Sequence, residues 1–100
     1  MATNGRMFLI ARFHARPGCQ VKLQEAILAV SGPTCAEADC VSFQAFQALG
    51  DDHLFFIHSV WSNEAAFEQH TTLPHTVEFI SVIDNLIDQP SEITRLARRV

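Results

Sequence analysis

The chain has few charged residues, and the balance of its charge is acidic. Charged residues make up 18% of the 100 residues, and seven lysines and arginines stand against eleven aspartates and glutamates, giving a formal net charge of −4. Nucleic-acid binding requires a basic patch that neutralises phosphates. The one basic cluster, Arg95, Arg98 and Arg99, lies at the C-terminal end and reads as a solvated tail. We therefore expect no nucleic-acid partner.

Cysteine and long apolar runs are also scarce. Cys19, Cys35 and Cys40 are odd in number and form no CxxC pair, which predicts reduced thiols and neither a disulfide framework nor a zinc site. No segment approaches the eighteen or so apolar residues of a membrane span. Residues 1–15 lack the apolar stretch and cleavage site of a signal peptide. These absences predict a cytoplasmic protein with no membrane partner.

What the chain has in excess is apolar residues. Hydrophobic residues make up 48% of a chain of only 100, and a domain of this length buries roughly 60–65% of its unfolded surface. We expect a single domain over residues 1–100, with its core at about 7–98. Self-association would cover apolar residues that so small a domain leaves exposed.

The order of the predicted elements is βαββαβ. Hydrophobic alternation predicts strands over residues 7–15, 41–49, 54–61 and 92–99. Helices are predicted over residues 18–31, 63–70 and 74–87, with a break at 31–33 and with Ser62 as the N-cap of the middle helix. The expected buried stripes include Leu23, Ile27 and Val30 in the first helix and Val77, Ile80 and Ile83 in the last. This order is typical of a ferredoxin-like α+β sandwich, in which helices cover one face of an antiparallel sheet.

The second face of that sheet also needs a cover. Both sides of the third strand are apolar, with Leu54, Phe56 and Val60 alternating with Phe55, Ile57 and Trp61. A sheet with one solvated face should instead alternate apolar and polar side chains. We therefore expect a homodimer in which two sheets pack face to face and enclose an apolar cavity in each subunit.

The segment "HTTLPH" carries the most informative polar residues. His70 and His75 are five positions apart, which separates them by roughly 140° on a helix, whereas helical metal sites use histidines four apart. Pro74 interrupts the helix between them, and no carboxylate or thiol nearby repeats at a ligand spacing. No metal site is expected. The two histidines either mark a helix end and a helix start, or they handle protons.

The surrounding sequence resembles a known family. Residues 60–79, "VWSNEAAFEQHTTLPHTVEF", are similar to the signature of the antibiotic biosynthesis monooxygenase family, with matches at Trp61, Ala66-Phe67, His70 and Pro74-His75. "ARPGCQVKLQEAI" resembles that family's turn and first helix. "AEADC" at 36–40 lies where the family has an acidic residue followed by Pro-Gly-Cys. The resemblance covers about residues 7–90.

Two positions depart from the pattern. Ser59 stands where the family commonly has a carboxylate, two residues before the tryptophan, and Ala38-Asp39 replaces Pro-Gly. The haem-degrading branch has a strand-one asparagine, a tryptophan at the position of His70 and a later histidine, none of which is matched here. Haem breakdown is therefore not expected.

The resemblance implies a homodimeric ferredoxin-like barrel and oxygenation of a quinol-like or polyphenolic molecule by dioxygen without a cofactor. Such chemistry needs a base that deprotonates the substrate, an apolar stacking surface and a dry cavity. Histidine is the natural base near neutral pH, so His70 and His75 are the catalytic candidates. Trp61 and Phe67 are either walls for a planar ring or ordinary packing residues of the core or the interface.

Two further histidines are candidates for substrate contact. His58 shares its strand face with Leu54 and Phe56, so it is either a base or a buried histidine bonded to a backbone carbonyl. His14 shares a face with Arg12, where a phenolate or carboxylate could bind.

Two other functions use the same residues: a dimer that binds a small hydrophobic molecule without turnover, and an isomerase or decarboxylase that transfers protons.

Overall fold

The computed structural model describes residues 5–100, and its architecture confirms the ferredoxin-like α+β fold. The strands are β1 (Met7–His14), β2 (Cys40–Ala48), β3 (Asp51–Trp61) and β4 (Glu92–Leu96). The helices are α1 (Gln20–Cys35), α2 (Glu64–His70) and α3 (Pro74–Ile83). The sheet has the order β2-β3-β1-β4, and its neighbouring strands are antiparallel.

The core lies between one face of the sheet and the helices. Strand alternation places Leu9, Phe13, Ile57 and Trp61 on this face, where all are buried. Helix α1 packs against them with three apolar residues at helical spacing, Leu23, Ile27 and Val30, which are the stripe that the sequence predicts.

Helix α1 continues through the expected break. The segment Ser31-Gly32-Pro33 stays helical, and α1 ends only at Cys35. Pro33 lies in the last turn, where its missing N–H removes a single hydrogen bond. The backbone N–H groups that follow still find acceptors, because Ala36 donates to the Gly32 carbonyl and Glu37 donates to that of Thr34. The predicted interruption at residues 31–33 was therefore wrong.

The predicted start of α2 needs a smaller correction. Asn63, not Ser62, is the N-cap: its extended backbone lets the Oδ1 atom accept a hydrogen bond of 2.8 Å from the N–H of Ala66. Ser62 is held elsewhere, since its N–H donates to the carbonyl of Asp39 at 3.0 Å.

Helix α3 is shorter than predicted and turns a different set of side chains towards the core. It ends at Ile83, and Ile87 instead forms an isolated bridge with Ala15. Thr76 and Ile83 are its buried residues, whereas Val77 and Ile80, expected on the buried stripe, are 54% and 52% exposed. None of the helices in residues 5–100 combines the length and the apolar content that crossing a membrane requires.

The sheet face away from the helices carries several large apolar side chains, as the sequence indicates. The register places Phe8 beside Val60 and Leu96, and Phe46 beside Phe56. Phe46 and Leu96 are 50% and 39% exposed in the single chain. The strand pattern was therefore a sound guide to which residues share this face.

One buried hydroxyl in α1 yields a stability prediction. Thr34 is fully buried, and its Oγ1 atom has no hydrogen-bond partner among residues 5–100. An unsatisfied buried polar group costs about 1–3 kcal/mol. We expect Thr34→Val, which keeps the shape of the side chain, to raise the free energy of unfolding by about 1 kcal/mol. Urea denaturation measures this change, and a loss of stability would contradict it.

Candidate functional site

An apolar cavity of about 180 Å³ lies between the sheet and the helices. Its walls include six large apolar side chains: Leu9, Phe13, Ile57, Phe67, Phe79 and Ile83. The cavity is on the helix side of the sheet and within a single chain, whereas the sequence led us to expect one between two sheets. The reason is that the strands direct their most fully buried side chains towards the helices.

His70 is the ionisable side chain that this cavity contacts. Within residues 5–100, the polar groups on the cavity wall are His70 and the hydroxyls of Ser59, Thr71, Thr76 and Ser91. His70 is the last residue of α2 and is only 7% exposed. A histidine at the wall of a largely apolar cavity is positioned to exchange a proton with a bound molecule.

A carboxylate joins the two predicted catalytic histidines. Glu37 Oε2 lies 2.7 Å from His70 Nδ1 and 2.7 Å from His75 Nε2. The loop after α1 supplies Glu37, the end of α2 supplies His70, and the first turn of α3, opened by Pro74, supplies His75. The side chains of Glu37, His70 and His75 are 15%, 8% and 23% exposed. We call these three residues the His-Glu-His cluster.

The hydrogen bonds of this cluster determine which nitrogen of His70 is free. A carboxylate oxygen only accepts hydrogen bonds, so His70 Nδ1 and His75 Nε2 both donate to Glu37. The proton of neutral His70 is therefore on Nδ1, and its Nε2 carries a lone pair. Thr76 Oγ1 lies 3.4 Å from this Nε2. The arrangement resembles the use of an aspartate to orient a catalytic histidine.

Aromatic rings hold His70 from its other sides. The Trp61 ring centroid is 4.6 Å from that of His70, and the Phe67 centroid is 5.7 Å away. Trp61 is 1% exposed, and its Nε1–H donates to Ser59 Oγ at 3.0 Å. Trp61 thus lies behind His70, whereas Phe67 lines the cavity. Of the two predicted walls, the structure places Phe67 at the cavity and Trp61 in the packing around His70.

The structure separates the other two predicted histidines from the cavity. His58 lies between Ile57 and Ser59, which line the cavity, so strand alternation directs His58 to the opposite face. His14 Nδ1 contacts Asp88 Oδ1 at 2.6 Å on the same opposite side of the sheet. This hydrogen bond holds the pKa of Asp88 below its usual value. Neither histidine joins the His-Glu-His cluster.

Glu37 is the residue that sequence reasoning missed. It is 33 positions from His70, so ligand spacing within residues 70–75 could not reveal it. The available signal was the acidic residue of "AEADC", which was noted for its place in a pattern without being assigned a role. The observation that no carboxylate nearby repeats at a ligand spacing holds for the sequence, but folding brings Glu37 into contact with both histidines.

A thiol close to this region gives a second prediction. Burial, with smaller contributions from Cys35 and Glu37, raises the pKa of Cys40 to about 11. The thiolate is the reactive form of cysteine, so about one Cys40 in a thousand is reactive at pH 8. We expect iodoacetamide at pH 8 to label exposed Cys35 well before Cys40, as followed by peptide mass spectrometry. Equal labelling rates would contradict this.

Comparison with known proteins agrees with the sequence resemblance. The sequence profile of the family described as "Antibiotic biosynthesis monooxygenase" matches residues 6–81. A Mycobacterium tuberculosis protein named "Putative monooxygenase Rv0793" is 27% identical over 89 residues, which cover 89% of this chain and 87% of that protein. An uncharacterized Synechocystis protein, sll1783, is 31% identical over 61 residues, 61% of this chain but only 42% of that protein.

Solved structures share the whole architecture. PA3566 from Pseudomonas aeruginosa has a TM-score of 0.91 and 29% identity, and the alignment covers 100% of both chains. Rv0793 also has a TM-score of 0.91, with 24% identity and coverage of 96% of this chain and 97% of that one. The likeness therefore extends over all elements from β1 to β4.

Proposed function

The chain belongs to the antibiotic biosynthesis monooxygenase family, and from the cavity beside His70 we propose that it is a cofactor-independent monooxygenase for a quinol-like molecule. One observation carries the proposal: Glu37 accepts the Nδ1–H of His70 at 2.7 Å, while the same imidazole borders an apolar cavity. A base with a fixed tautomer, facing a site that excludes water, is what deprotonation of a phenol requires.

The first step is deprotonation. His70 Nε2 takes the proton of a phenol or enol, and the developing imidazolium is stabilised because its Nδ1–H is bonded to the Glu37 carboxylate. His75 holds that carboxylate in place with a second hydrogen bond of 2.7 Å. His70 is thus the proposed base. His75 is assigned a positioning role, which refines the expectation that both histidines are catalytic.

Oxygenation follows from the electron-rich anion. The anion donates an electron to dioxygen, and the two then combine at a ring carbon. For a hydroquinone, one oxygen atom enters the ring to give a hydroxyquinone, and the other leaves as water, so the substrate supplies all the electrons. The part of the protein in this scheme is deprotonation, orientation against Phe67 and exclusion of bulk water.

The size of the cavity favours a small substrate. Its volume of about 180 Å³ is close to that of engineered core cavities of ~150 Å³ that hold benzene. It is below the roughly 300–1,000 Å³ of sites for larger ligands. We therefore propose a one-ring quinol in preference to the polycyclic phenols that other members of the family oxygenate.

A homodimer remains part of the proposal. The sheet face away from the helices presents Phe8, Ile10, Phe46 and Leu96, and Ile10 is 39% exposed. A second copy presents the same residues, and an isologous pairing of two such faces would bury both. Analytical ultracentrifugation tests this part, with Phe46→Glu expected to shift the protein towards monomer.

Oxygen consumption tests the proposed function. Purified protein treated with EDTA is mixed with hydroquinones of one, two and three rings in an oxygen electrode, and the products of ¹⁸O₂ incubation are analysed by mass spectrometry. We expect uptake with the one-ring compounds that persists in EDTA and places one labelled oxygen atom in the product. The matched control is His53→Gln, which replaces a histidine near the start of β3 that does not line the cavity.

The other outcomes are equally informative. Uptake that EDTA abolishes and Fe²⁺ restores would replace the base mechanism by metal chemistry. Binding without uptake would indicate a small-molecule carrier. Exchange of substrate protons with deuterium from the solvent, without uptake, would indicate an isomerase or decarboxylase that uses the same base.

A further inference from the structure

The His-Glu-His cluster has a second chemical capacity that the proposed oxygenation does not use. Glu37, His70 and His75 each offer one ligand atom, and these atoms lie within 4.8 Å of one another. Metal bonds of 2.0–2.2 Å in a tetrahedral site separate the ligand atoms by about 3.3 Å. The two 2.7 Å contacts to Glu37 Oε2 therefore need to open by about 0.6 Å, and the two histidine nitrogens, which lie within 4.8 Å of each other, need to come closer by at most about 1.5 Å.

We propose that Glu37 Oε2, His70 Nδ1 and His75 Nε2 bind one Zn²⁺ ion per chain. Two imidazoles and a carboxylate are the ligands of open zinc sites, which leave a fourth position for water. Mg²⁺ and Ca²⁺ prefer oxygen ligands throughout, so the two nitrogens select against them. The charge balance also fits, because one carboxylate and two neutral rings leave the bound ion with a net charge of about +1.

The surroundings of His70 suit a metal ligand. A ligating histidine usually donates its other ring N–H to a nearby acceptor, which fixes the ring. When His70 binds through Nδ1, its proton is on Nε2, and the Thr76 hydroxyl, 3.2 Å from Nδ1 and 3.4 Å from Nε2, packs against the ring without lying in line with that N–H. Trp61 holds the same ring from behind at a centroid distance of 4.6 Å. The ring would therefore keep its position when the ion binds.

The ion can reach the cluster without passing through the substrate cavity. Glu37 also lines a surface depression of about 240 Å³, on the outside of α2, together with Asp39, Ala66, Gln69 and Leu73. His75 is the most exposed ligand of the three, at 23%. Glu37 and His75 are therefore reached without passage through the apolar cavity, whose walls include neither residue.

Zinc binding has a consequence that rests on the proposed function. Ligation at Nδ1 requires the proton of neutral His70 to be on Nε2, which removes the lone pair that would act as the base. Zinc has no redox chemistry of its own, so the bound ion supplies no substitute route to oxygenation. The zinc form is therefore the inactive form, and Zn²⁺ inhibits oxygen uptake.

Isothermal titration of the full-length, chelator-treated protein with ZnCl₂ tests the site. We expect one ion per chain, and we expect the dissociation constant to rise at least tenfold in Glu37→Gln and in His75→Ala. His75 is partly exposed, so its replacement should leave the fold intact, which circular dichroism checks. Glu37→Gln keeps the size of the side chain and serves as the second variant.

Two control variants remove side chains outside the proposed site that could themselves bind zinc. His53→Ala removes the histidine of a second cluster, Asp51-Asp52-His53, at the start of β3, and Cys40→Ser removes a thiol that interacts electrostatically with Glu37. Both should leave the affinity unchanged. No binding at 100 μM Zn²⁺, an affinity unchanged in Glu37→Gln and His75→Ala, or loss of binding in either control would overturn the proposal.

The test of inhibition by Zn²⁺ is separate from the test of Zn²⁺ binding. If the protein consumes oxygen, the Zn²⁺ concentration that halves the rate should equal the dissociation constant from titration. Full activity at saturating Zn²⁺ would refute the inhibitory role while leaving the site standing. If the protein consumes no oxygen with any quinol, the proposed function fails, and the titration alone still decides whether the site exists.

Discussion

Replacement of His70 by glutamine is expected to lower kcat for quinol oxygenation by a factor of about 10²–10⁴, the usual contribution of a positioned base. Glutamine approximates the size of histidine but cannot take the proton at neutral pH. The walls that bind the ring, including Phe67 and Phe79, are unchanged, so KM should stay within a few-fold. Initial rates of oxygen uptake at saturating and subsaturating quinol separate the two parameters.

The comparison variants for His70→Gln replace residues that do not line the cavity. His53→Gln is the same substitution near the start of β3 and should have wild-type rates. Glu37→Gln should show an intermediate loss, because it leaves the base in place but weakens the interaction that orients it. A His70→Gln protein that folds normally and keeps more than a tenth of the wild-type rate would remove His70 as the base.

Trp61→Ala is expected to produce the largest loss of stability. Trp61 is 1% exposed and contacts the rings of His70 and Phe67 at centroid distances of 4.6 and 5.7 Å. Truncation of a buried tryptophan costs about 3–5 kcal/mol, and each kcal/mol lowers the Tm of a domain of this size by roughly 4–8 °C. The substitution also leaves Ser59 Oγ without the donor it has in the wild type.

Two companion variants make this result interpretable. Trp61→Phe keeps most of the apolar volume, so its loss of stability should be clearly smaller than that of Trp61→Ala. Leu49→Ala changes a fully exposed side chain in the β2–β3 turn and should shift stability by no more than about 0.5 kcal/mol. Thermal and urea denaturation followed by circular dichroism measure all three, and a Trp61→Ala loss below 1 kcal/mol would contradict the core position of Trp61.

Much of the fold could be predicted from local patterns. The alternation in β1 and β3 assigns each side chain to one sheet face, and Leu23, Ile27 and Val30 mark the buried side of α1 at helical spacing. Strand alternation and helical spacing depend on residues that are close together in the sequence, so contacts with distant parts of the chain alter these patterns little. The chain order βαββαβ then leaves few topologies open.

The errors have tertiary causes. Helix α1 passes through Pro33 because later N–H groups still find acceptors, and Val77 and Ile80 are exposed because α3 turns Thr76 and Ile83 inward. Hydrophobicity alone does not determine which side of a short apolar helix meets the core. Such a helix has more apolar residues than one face can bury.

The site was predictable only in part. His70 and His75 stand close together in a recognisable pattern, but Glu37 joins them through a contact across 33 residues that no spacing rule indicates. The opposite placement of His58 could have been anticipated, since it alternates with Ile57 on the core face. The alternation of side chains along a strand was therefore a better guide to which histidines reach the cavity than the presence of a histidine in itself.

The central claim is that Glu37 fixes the tautomer of His70 so that its Nε2 faces the cavity as a base. Nitrogen-15 NMR of the histidine-labelled, chelator-treated protein measures this directly, since protonated and unprotonated ring nitrogens differ in chemical shift. We expect neutral His70 to carry its proton on Nδ1, and we expect this preference to weaken in Glu37→Gln. A neutral His70 protonated on Nε2, or a tautomer indifferent to Glu37→Gln, would contradict the account.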